Sequence, residues 1–179
     1  TGSAEIVIRD QAINTQLDPD TMGNGVLVFG QVNIQGQAKT TFARLVQAPQ
    51  SRDRVLVFDT PVENWRPGDV LMLADSRVLS PGQIRKGYQP ADETVVVELV
   101  NGNKVILATA LKYDHPGNED LNPHVANLSR NVTIRSENPN GTRGHFMVNG
   151  HAEAVINYAR FHELGRTTTD PLGNTKYSK

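Results

Sequence analysis

SRNVTIRSENPNGTRGHFMVNGHAEAVINYARFHELGR, residues 129–166, is the stretch whose reading decides the fold. Val132 and Ile134 alternate with polar neighbours in NVTIR, and Phe146 and Val148 do the same in HFMVN. Such alternation over a short run marks a strand with one buried face. In AEAVINYARF the alternation breaks around residues 157–160, as it does where a strand turns a corner. Ile134 and Ile156 lie twenty-two positions apart. That interval is about one circuit of a parallel β-coil, whose circuits stack at roughly 4.8 Å and bury a continuous apolar column. On this reading the two isoleucines are consecutive rungs. An antiparallel meander, with turns at residues 138–141 and 149–151, is the second possibility. The coil is preferred because the corners are too irregular for two-residue hairpins. An outer groove requires that Ile134 and Ile156 stack in one sheet; strands in different sheets would remove its platform.

Composition sets the frame around that stretch. The chain has 179 residues, enough for one domain with a sizeable core or two small units. Hydrophobic content of 37% points to short strands rather than apolar helices, and Gly 15 with Pro 10 favours an all-β chain. The net charge of −1 lacks the basic footprint of a nucleic-acid binder. No apolar run approaches the ~20 residues of a membrane span. The absence of cysteine excludes disulfides and thiolate metal sites. Sequons for N-glycosylation occur at Asn127, Asn131 and Asn140, and Asn131 opens a predicted strand.

Upstream, AEIVIRD predicts a strand through Ile6 and Ile8, and Asn24-Gly25 is a turn signal before VLVFG. QVNIQG carries Val32 and Ile34 on one face, with Gly36 ending it. TTFARLVQAP follows, with Phe42 alternating with Arg44. RVLVFDTPV is apolar on both faces around Val55 and Val57, which predicts an interior strand. In ENWRPGDVLMLAD, Pro67-Gly68 fits the centre of a type II turn. Asp69 is placed to accept nearby backbone N–H groups, and residues 70–73 continue as a buried strand. Trp65, the sole tryptophan, is expected to cap the core beside this turn, with sugar stacking as the alternative. TVVVELV and KVILATAL flank Asn101-Gly102-Asn103 as a hairpin. Residues 76–93 and 113–128 read as irregular loops, and the tail TTTDPLGNTKYSK as a loop.

With these residues in view, the chain resembles the G8-domain family. That family includes fibrocystin, the cell-surface and secreted hyaluronan-depolymerising proteins, and bacterial relatives. The resemblance rests on four passages in order: IQGQAKTTFARL, VENWRPGDVLMLADS, VNGNKVILATALKYDHPG and the organising stretch itself. Their order and spacing carry it, since W-x-x-G-D alone is common. The resemblance implies an all-β fold of G8-type paired strands leading into a right-handed parallel β-helix. It implies residues 1–116 as the later part of a G8 domain and residues 117–179 as the first coil or coils. It also implies a fragment of a larger extracellular or cell-surface protein, with the parent β-helix continuing beyond it.

Candidate site residues come from the same stretch. His145 and His151 flank a predicted strand, and His162-Glu163 follows further on. Alternation puts His145 opposite Phe146, outside the apolar column. A histidine beside a carboxylate suits general acid or base work, so His145, His162 and Glu163 are the catalytic candidates. Arg135, Arg143 and Arg166, with His151, are the substrate-binding candidates, because arginine clamps the carboxylates of an acidic polysaccharide. Singly, each is more often plain surface. Asp114-His115 is a weaker acid/base or metal candidate, since neighbours along a strand point to opposite faces. Glu119 and Asp120 could contribute to a calcium site with loop carbonyls, but no spacing here supplies the six or more oxygens of a hard cation, so no cofactor is expected and calcium stays an option without a motif behind it.

Two functions fit. The first is a polysaccharide-binding or -processing surface for an acidic, hyaluronan-like glycan, glycoside-hydrolase-like if the β-helix is complete. The second is a non-catalytic structural or adhesive module, favoured by aromatic content of only 6%. The expected partners are a polysaccharide and further β-helix, with no nucleic acid and no membrane span in this chain.

Overall fold

The computed structural model describes residues 2–82, 87–117 and 121–165. Their contacts form two compact units: residues 1–37 together with the chain from 130 onward, and residues 38–129.

In the first unit the apolar alternation is used as one stacked coil. Strands β1 (Ala4–Ile8), β2 (Gly25–Val28) and β3 (Gln31–Gln35) make one circuit. Strands β10 (Val132–Ser136), β11 (His145–Val148) and β12 (Glu153–Asn157) make the next, and β13 (Ala159–His162) begins a third. Every pairing is parallel: β10 lies between β1 and β13, β11 pairs β2, and β12 pairs β3. Ile6, Ile134 and Phe161 therefore form one column, Val26 and Phe146 a second, and Ile34 and Ile156 a third. Ile134, sandwiched in the middle rung, is fully buried.

The all-β parallel coil is the observed fold and the meander is excluded, but the expected stacking of Ile134 on Ile156 is wrong. The two residues lie in different sheets of one circuit. Ile134 meets Phe161, twenty-seven positions on, and Ile156 meets Ile34. The cause is the corner at Tyr158, which takes a left-handed φ of 53° and turns the chain in a single residue between β12 and β13. The platform expected from an Ile134–Ile156 stack is therefore absent; the strands that do stack as consecutive rungs of one sheet are β1, β10 and β13.

Corners are made by side chains that replace backbone partners. Asn138 Oδ1 accepts from the Asn140 N–H at 3.0 Å, and Asn149 Oδ1 from the His151 N–H at 3.1 Å. Gly36 donates its N–H to the Asn157 carbonyl at 2.8 Å. A Cβ there would run into the Tyr158 carbonyl, so glycine is required by close approach of two stacked corners. Asn131 joins the two passes of the chain: its Oδ1 accepts from the Gln37 N–H at 2.6 Å and its Nδ2 donates to the Gly2 carbonyl at 3.0 Å. In the folded protein both ends of that amide are committed to the backbone.

The second unit is antiparallel. Strands β4 (Phe42–Arg44), β5 (Val55–Val57), β6 (Val70–Leu73), β7 (Glu93–Asn101), β8 (Lys104–Leu107) and β9 (His124–Asn127) form a sheet in the order β4-β9-β6-β7-β8-β5. A bridge between Leu45 and Phe58, flanked by Val46 N–H to Val57 O at 2.9 Å and Asp59 N–H to Arg44 O at 3.0 Å, joins the two edge strands. The sheet thus curls onto itself, helped by a register shift in β7 between Val97 and Leu99. The 101–103 hairpin is present, with Gly102 at φ 61°. Leu45, Leu56, Phe58, Leu71, Leu73, Val105, Leu107 and Val125 fill the interior. Each such side chain contributes about 2 kcal/mol.

Two expectations fail here. Val55 is half exposed, because Leu56 and Phe58 take the inward positions of that strand. The division expected after residue 116 falls inside the second unit, between β8 and β9. Strands β1, β2 and β3 take their ladder partners from β10, β11 and β12, far along the chain, so their membership of the coil was hidden.

Replacing Gly36 by Ala is expected to destabilise the coil by about 2 kcal/mol, the scale of overpacking in a closed contact. Urea denaturation followed by circular dichroism reads the shift in midpoint, and an unchanged midpoint would contradict the stacked corner.

Candidate functional site

The three-strand ladder β1-β10-β13 has one face turned into the coil and one turned out. Outward positions align across the rungs in two rows: Glu5, Thr133 and Arg160, then Val7, Arg135 and His162. Parallel rungs roughly 4.8 Å apart bring these side chains within reach of one another. Arg135 turns back to Glu5, with Nε donating to Oε1 at 2.7 Å. That bond is the main cause holding the Glu5 carboxyl below its ordinary range, and Glu5 in turn raises Arg135. Arg160 donates from Nη2 to Nδ1 of His162 at 3.3 Å, while Nε2 of His162 faces Glu163 Oε1 at 3.5 Å. An arginine can only donate, so in this arrangement Nδ1 is the acceptor and Nε2 carries the proton directed at Glu163. Glu163 itself sits at a corner, with φ 55°.

Of the residues singled out from the sequence, this face assembles Arg135, His162 and Glu163. The others lie elsewhere. His145 opens β11 in a different sheet, its half-buried ring packed where a Gly25 side chain would otherwise be. Arg143 is half-buried in the loop before β11, and His151 is exposed at the corner after it. Arg166, Glu119 and Asp120 fall outside the described residues. Arg160 and Glu5 were missed. Arg160 could have been found, since it sits two positions before His162 on the same outward face; Glu5 could not, because its rung comes from another part of the chain. Among the described residues no group of three or more histidine, cysteine or acidic side chains is arranged to hold a metal ion.

No family model matches the chain. Two proteins of Dictyostelium discoideum, each named as a G8 domain-containing protein, are 26% and 25% identical to it over 73% of its length. The resemblance to G8-domain proteins is borne out. The chain spans only 11% and 9% of those two relatives. Among solved structures, tailspike gp61 of Pseudomonas phage phi297 is similar with a TM-score of 0.42 and 16% identity, over 91% of this chain and 23% of that one. Tailspike gp49 of Pseudomonas phage LKA1 follows at 0.40 and 16%, over 74% and 24%.

The G8-like passage around Trp65 is structural. Trp65 is 5% exposed, its indole N–H donates to the Thr40 carbonyl at 2.7 Å, and its ring meets Phe58 edge-on at 5.3 Å. It is therefore not a sugar platform. Gly68 has the φ of 88° that the turn demands, and Asp69 accepts from the Arg66 N–H at 3.1 Å as expected.

Asp75 organises the loop that follows β6. It receives Arg77 through Nε at 2.9 Å and Nη2 at 2.7 Å, the Tyr88 hydroxyl at 2.5 Å and the Ala91 N–H at 3.0 Å. Arg77 is the largest cause holding this carboxyl far below the usual carboxylate range, against the opposing effect of burial.

His115 is likewise part of the interior and not an acid/base group in a cleft. It is fully buried, with Nδ1 3.0 Å from the Ala74 carbonyl and Nε2 2.9 Å from Glu93 Oε1. Burial alone would raise the Glu93 carboxyl, but the Lys112 N–H, the His115 ring and the Tyr113 N–H outweigh it and hold the group low. A depressed carboxyl contributes stability above its unfolded value, and that contribution is lost as pH falls through the folded one. Acid unfolding of the protein is expected to begin below the ordinary glutamate range and to lose that component in Glu93→Ala. The same substitution leaves a buried ring and two N–H groups unmatched and is expected to cost roughly 3 kcal/mol at neutral pH. Denaturation midpoints across pH check both.

Proposed function

We propose that the outward face of the β1-β10-β13 ladder binds an acidic polysaccharide outside the cell or at its surface. The observation that supports this reading most is the parallel register, which sets Arg160 and His162 beside Thr133 and Arg135 on one flat face. A linear polymer lies well along stacked rungs, because repeating rungs meet repeating sugars. The charges on the face divide the work. Arg135 is already matched by Glu5, so it gives the face rigidity more than attraction. Arg160 meets a neutral ring nitrogen and retains its charge for a sugar carboxylate. His162 and Glu163 are a proton-transfer pair on the same face, while hydrolysis by two carboxyls would need a second acid at a set distance. The reading is accordingly one of binding first. The G8-domain resemblance agrees with it as analogy of fold, which does not by itself carry chemistry.

A non-catalytic adhesive module is the second reading, favoured by the burial of the only tryptophan. Titration of the folded protein with hyaluronan, an uncharged glucan and an uncharged mannan separates the two. The first reading expects binding to the acidic polymer, weakened roughly tenfold in Arg160→Ala and reduced by added salt. Absence of binding to any of the polymers would leave the adhesive module.

A further inference from the structure

Lys39, Asp69 and Asn127 meet inside the antiparallel unit. Their side chains are close to fully buried: 8% exposed for Lys39, 11% for Asp69, and 1% for the Asn127 residue. One carboxylate oxygen serves both of the others. Asp69 Oδ2 accepts from Lys39 Nζ at 2.8 Å and from Asn127 Nδ2 at 2.7 Å. The primary amine and the carboxamide thus share one acceptor oxygen. The carboxamide is held from its other end as well, since Asn127 Oδ1 accepts from the Ser129 N–H at 2.9 Å.

We propose that these residues form an intramolecular isopeptide bond between Lys39 Nζ and Asn127 Cγ. The parts correspond to those of an acyl transfer: a nucleophile, a shared proton carrier, and a backbone N–H aimed at the oxygen on which charge develops. Asp69 takes one proton from Nζ, and the lone pair so released attacks Cγ. The carbonyl electrons move to Oδ1, facing the Ser129 N–H. Asp69 passes its proton to Nδ2, the C–Nδ2 bond breaks, and ammonia leaves with a second Nζ proton as ammonium. The third proton stays on the new secondary amide, and Asp69 ends as it began. Burial excludes water as a competing nucleophile, and the fixed positions make the encounter unimolecular. The bond would fasten the segment leading into β4 to the end of β9, the two ends of the unit, so that tension on the chain bypasses its interior.

Intact-mass spectrometry of the folded protein, with tandem sequencing of a proteolytic digest, tests this. The expected result is a chain lighter by one ammonia and a branched peptide joining Lys39 to Asn127, both absent in Lys39→Arg and Asn127→Ala. Protein unfolded in denaturant as it is made, then refolded, should acquire the same deficit with time, which does not depend on any variant folding. A full-length mass in the refolded wild type would overturn the proposal. So would a deficit that persists in Lys39→Arg, which would trace instead to cyclisation at an Asn-Gly pair.

Discussion

Parallel hydrogen bonding between residues 4–35 and residues 132–157 is the constraint on which the coil rests. A single circuit has one apolar face and no means of burying it alone; a second rung supplies both the backbone partners and the column. Pairing the two passes means closing a loop that contains the whole antiparallel unit. Loop closure grows costlier with length, though slowly. In that unit the first and last strands, β4 and β9, are neighbours. A folded insert with adjacent ends shortens the effective loop, and the Asn131 amide then holds residue 37 beside the returning chain.

Interior position and exterior chemistry are linked through the same register. Ile6, Ile134 and Phe161 fix the rungs, and their neighbours on each strand are thereby placed in rows on the outside. The outward face presents charge in compensated form, with Glu5 against Arg135, next to Arg160, His162 and Glu163. Exposed ion pairs of this kind add little stability. Their effect is to hold long side chains in one geometry, which is what recognition of an extended ligand requires.

The antiparallel unit manages its buried polar groups differently. Asp69 and Glu93 each collect several donors, Asp69 from Lys39, Asn127 and Arg66, Glu93 from Lys112, Tyr113 and His115. Removing a charge from water is expensive unless nearly all its hydrogen-bonding capacity is met. Both carboxylates sit where loops cross strand ends, so each satisfies backbone groups that no neighbouring strand can reach.

Local patterns were enough to predict the all-β class, the strands at residues 132–136 and 145–148, the corner after residue 157, the Pro67-Gly68 turn and the hairpin at 101–103. Each depends on alternation or on a backbone angle that only certain residues accept, and both are written within a few neighbouring positions. The partners of those strands are not. Ile156 was matched to Ile134 because the two stand at a plausible interval, whereas its true neighbour, Ile34, is separated from it by an entire folded unit. The same gap hid Glu5 from the candidate face and scattered His145, Arg143 and His151 away from it. Composition and periodicity determine which segments are strands and which way each side chain faces. Which strand lies on which is decided only when distant segments compete for the same hydrogen bonds, and here that competition places Arg160, Arg135 and His162 together.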